Sequence, residues 1–209
     1  MPQIRRILLD DYISGIEATT GLNEVDTIGN VDILNEPRAA IFNSRQGKTP
    51  DYSSEWLRIS LELVEKLAAK EAVLVSGIGM ITWDMLTWKA GQSGAALALV
   101  IPDVERKFIP GFAERLAADM ELDLDKTLMI FPDQDVEPEP RYRKFPRKDF
   151  WIAGIADRIY PVSIRPKGNL ERLMELFAII PDRVEEKFRL KYSRSNRSAF
   201  NPSQLPPME

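Results

Sequence analysis

Along the chain, short continuous runs of apolar residues alternate with longer stretches in which apolar residues recur every three or four positions. Ala39-Ala40-Ile41-Phe42, Ala72-Val73-Leu74-Val75, residues 95–101, residues 127–131 and the weaker 159–164 are runs bounded by turn formers, as buried strands are. Trp56, Leu57, Ile59, Leu63, Val64 and Leu67 fall on one helical face of about four turns, with Ser53 or Ser54 as N-cap. Further helices are predicted over 80–90, stopped by Gly91 and Gly94, and over 112–120, 150–155 and 170–180. Strands that are apolar throughout need cover on both faces, and the intervening helices supply it. The pattern predicts an α/β chain of Rossmann type: a doubly wound, mostly parallel sheet with helices on both faces.

The two ends read differently. Residues 1–36 form a lead-in that packs on the core, with helical spacing over 5–16 (Ile7, Leu8, Tyr12, Ile13, Ile16) and turn-rich sequence around Gly21 and Gly29. The Rossmann-like domain is expected to span 37–190. Residues 191–209 are polar, basic and then proline-rich, the composition of a flexible tail.

Composition narrows the chemistry more than the fold. The 209 residues, 44% hydrophobic, suffice for one large α/β domain with a full core. There is no cysteine and no histidine, which removes thiol nucleophiles, disulfides, thiolate or imidazole metal sites and every His-dependent triad. A carboxylate-bound Mg²⁺ stays open, but nothing in the spacing demands it, and no cofactor is called for. No apolar run approaches the roughly 20 residues of a membrane span. Asp10 and Asp11 interrupt any signal-peptide pattern, so the expectation is a soluble, cytoplasmic protein. A net charge of −4 argues against nucleic-acid binding over the whole surface, while a local basic patch remains allowed.

Candidate binding residues lie in the loops that leave the strands, where open parallel sheets place their ligands. Asn43-Ser44-Arg45 could cradle a phosphate with loop N–H groups, a hydroxyl and a guanidinium fork; the plain alternative is a solvated loop whose Ser44 caps a turn. Ser76 and Gly77 form the equivalent loop after the second strand, though Ser-Gly also makes ordinary turns. Asp84 would either meet a ribose or cation or face solvent in the first turn of its helix. The run Arg141-Tyr142-Arg143-Lys144-Phe145-Pro146-Arg147-Lys148 has the composition of a nucleic-acid contact, cations for phosphates and aromatics for bases. A solvated face neutralised by the acidic loop before it is the alternative. A second basic segment, Arg183, Lys187, Arg189, Lys191, Arg194 and Arg197, is diluted by Glu185 and Glu186 and reads equally well as a solubilising face. Trp83 and Trp88 are core or interface residues; exposed as a pair, they would mark a dimer face.

Four stretches, in order, resemble the core of the DNA-processing DprA (Smf) family. The segment 28–41 is similar to that family's lead-in to its first core strand. Phe42-Asn43-Ser44-Arg45 resembles its Val-Gly-Ser-Arg loop, and Val75-Ser76-Gly77-Ile78 with Asp84 resembles its Ser-Gly-Leu-Ala…Gly-Ile-Asp segment. Phe145-Pro146-Arg147-Lys148-Asp149 followed by Ile152-Ala153-Gly154 is similar to its Phe-Pro-x-Arg-Asn-Arg-Ile-Ile-Ala-Gly motif. The polar fittings depart: Asn43 stands for Gly, Trp88 for His, Lys148-Asp149-Phe150 for Arg-Asn-Arg, and Lys167-Gly168 for Ser-Gly. A diverged member fits this pattern.

The resemblance implies a non-catalytic protein that binds single-stranded DNA or a nucleotide in DNA processing or recombination. A recombinase would be a partner; a homodimer is the assembly that an exposed tryptophan pair would mark. The phosphate-binding residues it implies are Asn43, Ser44, Arg45, Ser76, Gly77, Lys148 and Gly168, with Asp84 as a ribose or cation contact. Two alternatives belong to the same superfamily: a phosphoribohydrolase-like enzyme and a sensor of a nucleotide signal. The enzyme needs a Pro-Gly-Gly-x-Gly-Thr loop after a strand, whereas Ala90-Gly91-Gln92-Ser93-Gly94 precedes one.

Overall fold

The computed structural model describes residues 2–47, 52–133, 135–136, 138 and 140–192. Seven strands make one sheet: β1 (Arg5–Leu8), β2 (Glu24–Gly29), β3 (Arg38–Asn43), β4 (Val73–Ser76), β5 (Leu97–Val100), β6 (Thr127–Pro132) and β7 (Arg158–Ser163). Their spatial order is β1-β2-β6-β5-β4-β3-β7. The five strands from β6 to β7 are parallel, while β2 pairs antiparallel with β6 and β1 antiparallel with β2. The connecting helices are α1 (Ile16–Thr20), α2 (Glu55–Ala68), α3 (Ile81–Ser93), α4 (Ile109–Asp119), α5 (Arg147–Ile155) and α6 (Asn169–Phe177). The mostly parallel, doubly wound sheet is the one the apolar runs predict.

The chain steps from β3 through β4 and β5 to β6 in one direction, then returns across the sheet through α5 to β7 on the far side of β3. Because parallel crossovers are right-handed, reversing direction transfers the helix to the opposite face. Hence α2, α3 and α4 cover one face and α5 the other. The strands β4, β5 and β6 are buried at every position, as a doubly covered sheet requires. The T-shaped pair of Phe42 and Trp83, ring centroids 5.1 Å apart, packs the β3 end against α3.

The lead-in departs from expectation. Residues 5–16 are not one helix: Arg5–Leu8 is an edge strand and only Ile16–Thr20 is α-helical, while the turn-rich stretch before Gly29 contains β2. Long-range pairing overrides the local spacing, since Arg5, Arg6, Ile7 and Leu8 register against Thr27, Asp26, Val25 and Glu24. Arg6 also reaches Glu24 at 3.0 Å and Asp133 at 2.7 Å. At the end of β2, Gly29 holds φ +105 with the Thr127 carbonyl where a Cβ would stand, a close approach that only glycine permits.

Helix α5 is buried from Asp149 to Ile155, so it shows no polar face. The sheet covers one side, α1 a second and α6 a third. The Trp151 indole donates to the Thr20 carbonyl at 3.3 Å, and Phe150 packs on Phe177. The α5 carbonyl end is met by two guanidiniums: Arg38 Nε donates to Ile155, and Arg183 Nη2 to Ala153 and Gly154. Arg183 is thereby a structural residue, and Arg189 and Lys187 of the second basic segment pair with Glu171, Glu186 and Glu185. Arg194, Arg197 and the tail from residue 193 onward lie outside the described residues.

A Cβ on Gly154 would stand 2.2 Å from Thr20 Cγ2, inside van der Waals contact. Gly154→Ala is therefore expected to force α1 off α5 and cost about 1–3 kcal/mol, the range for overpacked cores. Urea denaturation measures it; an unchanged midpoint and slope would show that α1 does not seal this face.

Candidate functional site

The reversal of chain direction at β3 makes the β3–β7 boundary the topological switch point, and its crevice opens beyond the C-terminal strand ends. Three polar residues of one loop stitch this boundary together. Asn43 donates through Nδ2 to Ser60 Oγ of α2 at 3.0 Å and accepts the Ser163 N–H on Oδ1 at 3.2 Å. Ser44 donates its N–H to the Ser163 carbonyl at 2.7 Å, and its hydroxyl oxygen accepts the Arg165 N–H at 2.7 Å. Gln46 donates through Nε2 to Ser163 Oγ at 3.1 Å. The register shift between Phe42 and Asn43 sets these side chains toward β7. All three are buried, whereas Arg45 between them is exposed.

The loop after β4 is equally fixed. Ser76 is buried, its hydroxyl 3.2 Å from Thr87 Oγ1 of α3, and Thr87 Oγ1 donates to the Gly77 carbonyl at 3.1 Å. The Lys148 stem lies on Gly77, where a Cβ would come within 3.0 Å of Cδ, and Nζ donates to the Ile78 carbonyl. Asp84, half-buried in the first turn of α3, accepts the Gly79 N–H on Oδ1 at 2.8 Å. A glycine-flanked strand exit is thus clamped by α3 from one side and by α5 from the other.

Between these two loops lies a cavity of about 240 Å³ lined by Arg45, Gln46, Gly47, Gly79, Met80, Ile81, Thr82 and Asp84. It collects the Arg45 guanidinium, the N-terminus of the 13-residue helix α3 and the Gly79 turn. A helix N-terminus carries unpaired N–H groups and a partial positive charge, so the cavity suits an anion. Among the described residues, the Arg45 guanidinium pairs with no carboxylate.

Of the residues singled out from sequence, Arg45 and Asp84 line this cavity, and Gly77 and Lys148 sit directly behind the β4 exit. The side chains of Asn43, Ser44 and Ser76 are engaged in scaffold hydrogen bonds, with partners up to 121 residues away. Gly168 is the N-cap of α6, its N–H on the Arg165 carbonyl at 3.1 Å, and is not part of the cavity wall. Gln46 and Thr82, which do line it, were not anticipated. The adjacency of Gln46 to Arg45 is a signal for the first; a threonine one residue into a helix is too common to be one.

The aromatics of the basic run pack on α5. Phe145 is buried and stacks on Phe150 at 6.1 Å, and Tyr142 stacks on the same ring at 5.0 Å. They anchor the loop to α5, leaving Arg143 and Lys144 at the surface. Trp83 is buried and Trp88 exposed, so the two tryptophans form no shared exposed face. The Ala90–Gly94 stretch is the end of α3, capped by Gly94 in the left-handed conformation, and not a loop after a strand.

Burial shifts the titration of the ionisable groups around the β4 exit. Desolvation raises Asp84, against the Gly79 N–H and the Lys148 charge; desolvation lowers Lys148, against Asp149, Asp84 and Asp103. Asp149, buried beneath the site, is raised to about 6 by desolvation, with Lys148 and the Trp83 indole pulling the other way. The indole N–H lies too far or too bent to make a full hydrogen bond, so its contribution is the smallest.

No protein-family model matches the chain, and comparison with curated proteins finds no match. Solved structures do match. DNA processing protein A (DprA) from Streptococcus pneumoniae superposes with a TM-score of 0.58 at 22% identity, over 83% of this chain and 60% of that one. DNA processing protein A from Helicobacter pylori, described for its single-stranded DNA binding mode, gives 0.58 at 14% identity, over 88% and 81%. The fold is therefore DprA-like, in a chain that is no more than 22% identical to either protein. It spans about 60% of the length of the S. pneumoniae protein.

Asp149 supplies a test of the site's electrostatics. Its folded pKa lies above the unfolded value, so its own contribution to stability is full below about pH 4 and is lost as pH rises through 6. Asp149→Asn mimics the neutral acid and lacks this term. The variant's stability relative to wild type is expected to rise by a few kcal/mol between pH 4 and pH 7, read by urea denaturation. A difference constant across that range would mean that Asp149 is not held in a desolvated position.

Proposed function

We propose that this chain binds the phosphate groups of a nucleotide or of single-stranded DNA at the β3–β4 crevice, without catalysing a reaction on them. The observation that carries the reading is the juxtaposition, in one cavity wall, of an exposed Arg45 that meets no carboxylate among the described residues and the N-terminus of α3. A guanidinium offers a planar fork to phosphate oxygens, and the helix end adds unpaired N–H groups. Exposed Arg143 and Lys144 extend the positive charge along the surface, which suits a polyanion. The DprA-like fold supports the polymer, since the H. pylori protein of the same fold binds single-stranded DNA. A role in DNA processing, with a recombinase as partner, belongs to the same reading.

Labelled oligo-dT titrated at two salt concentrations tests it. Tight binding should weaken steeply with salt, and Arg45→Ala should reduce affinity about tenfold while lowering the log–log salt slope by about one phosphate contact. Oligonucleotide binding indifferent to both salt and Arg45 would defeat the reading.

A further inference from the structure

We propose, resting on the anion-site reading above, that single-stranded DNA leaves the Arg45 cavity across the end of β7, with its phosphates on Arg165, Lys167 and Lys191 and one base on the Tyr192 ring. Hydrogen bonds bring these residues to one edge. The Arg165 N–H lies on Ser44 Oγ at 2.7 Å, next to Arg45 in the chain. The segment that follows α6 returns to the same edge. There the Leu190 N–H donates to the Val162 carbonyl of β7 at 2.7 Å, and the Tyr192 hydroxyl stands 3.5 Å from the Arg45 carbonyl. Lys167 takes the left-handed conformation, φ +59, with its N–H on Glu171 Oε2 at 2.6 Å, so the turn carrying it is fixed. That bond and an ion pair with Arg189 engage both carboxylate oxygens of Glu171.

Charge singles out this edge. Arg45, Arg165, Lys167 and Lys191 are exposed, and none of them meets a carboxylate among the described residues. Arg158, at the opposite end of β7, and Lys187 and Arg189, before the segment reaches the edge, are all paired with glutamates. A face that served solubility alone would intersperse both signs. Unpaired cations gathered together repel one another, and a polyanion relieves that repulsion. A mononucleotide brings one phosphate group, which the Arg45 cavity already accommodates, whereas a strand offers a phosphate at every step. Tyr192 adds what a duplex could not use. Its ring is partly exposed and meets no aromatic ring and no cation among the described residues, unlike Tyr142 and Phe145, which pack on Phe150. Duplex bases stack on each other, but a base of a single strand can lie on an aromatic ring beside a cation that holds its phosphate.

Three ligands test the path: oligo-dT, an abasic deoxyribose-phosphate strand of the same length, and thymidine 5′-monophosphate, each titrated calorimetrically into the full chain at two salt concentrations. Oligo-dT should bind tighter than the monophosphate, and Arg45→Ala should weaken all three. Arg165→Gln and Lys167→Gln should each lower the log–log salt slope by about 0.7, the value for one phosphate of a single strand, with oligo-dT and the abasic strand affected alike. The ratio of oligo-dT to abasic affinity should fall about fivefold or more in Tyr192→Ala, the low end for the loss of one stacked base. Tyr192→Phe keeps the ring and should keep the ratio. If the slope responds to Lys144→Gln but to neither Arg165 nor Lys167, or if the ratio ignores Tyr192, the path is overturned, while sensitivity of the monophosphate to Arg45→Ala preserves the anion site. Monophosphate binding with no gain for the strand overturns it likewise. If none of the three binds, both fall together.

Discussion

The site depends on joining two parallel strands that lie some 120 residues apart in sequence. No hairpin sets the register of β3 against β7, and no short crossover does so either. Side chains take that role: the Asn43 carboxamide, the Ser44 hydroxyl and the Gln46 amide all bond to Ser163 or Arg165. Three polar groups buried together would each carry a desolvation penalty if unmatched, so a slipped register is disfavoured by several groups at once. The same stitching leaves the intervening residue, Arg45, nowhere to go but outward. Rigidity of the scaffold and presentation of the guanidinium thus follow from one arrangement.

The return helix α5 makes that junction reachable. It carries the chain back across three strands, and it is wrapped by the sheet, α1 and α6. A helix buried on all sides from Asp149 onward has little water at its carbonyl end, so the backbone groups there need protein partners. Arg38 and Arg183 meet the carbonyl end. At the other end, Lys148 and Asp149 lie under the β4 exit. The lead-in is therefore more than an appendage on the core. Without α1 over Gly154 and Trp151, α5 would expose an apolar face, and the position of Lys148 behind Gly77 would loosen.

How far the sequence announces this depends on the range of the interactions involved. All five parallel strands and the helices between them were legible, because burial on both faces writes a continuous apolar run into the local sequence. Strand β1 was not. Its residues are mostly exposed, and what holds Arg5–Leu8 extended is pairing with β2 and the reach of Arg6 to Asp133, 127 residues on. Arg45 was legible as a cation at a strand's C-terminal end. The engagement of Asn43, Ser44 and Ser76 was not, since a small polar residue in such a loop looks the same whether it faces a ligand or a distant backbone. The packing of Tyr142 and Phe145 was not legible for a related reason: an aromatic among cations has the composition of a nucleic-acid contact, and only the fold shows Phe145 buried and Tyr142 half-buried against Phe150.

An acidic chain can hold a polyanion only where local geometry outweighs the average charge. At this cavity the balance is between Arg45 and the opening turn of α3 on one side and Asp84 on the other. Asp84 looks like a defect, a carboxylate placed where a phosphate should go. Its Oδ1 is engaged by the Gly79 N–H, however, and Lys148 stands close enough to offset its charge. The carboxylate therefore shapes the Gly79 turn more than it sets the field across the cavity. Arg45 pairs with no carboxylate among the described residues, so its charge at the cavity wall is not offset in this way. Interactions in a partly desolvated cleft act through a lower dielectric than surface charges do, which allows one well-placed guanidinium to matter in a molecule of net charge −4.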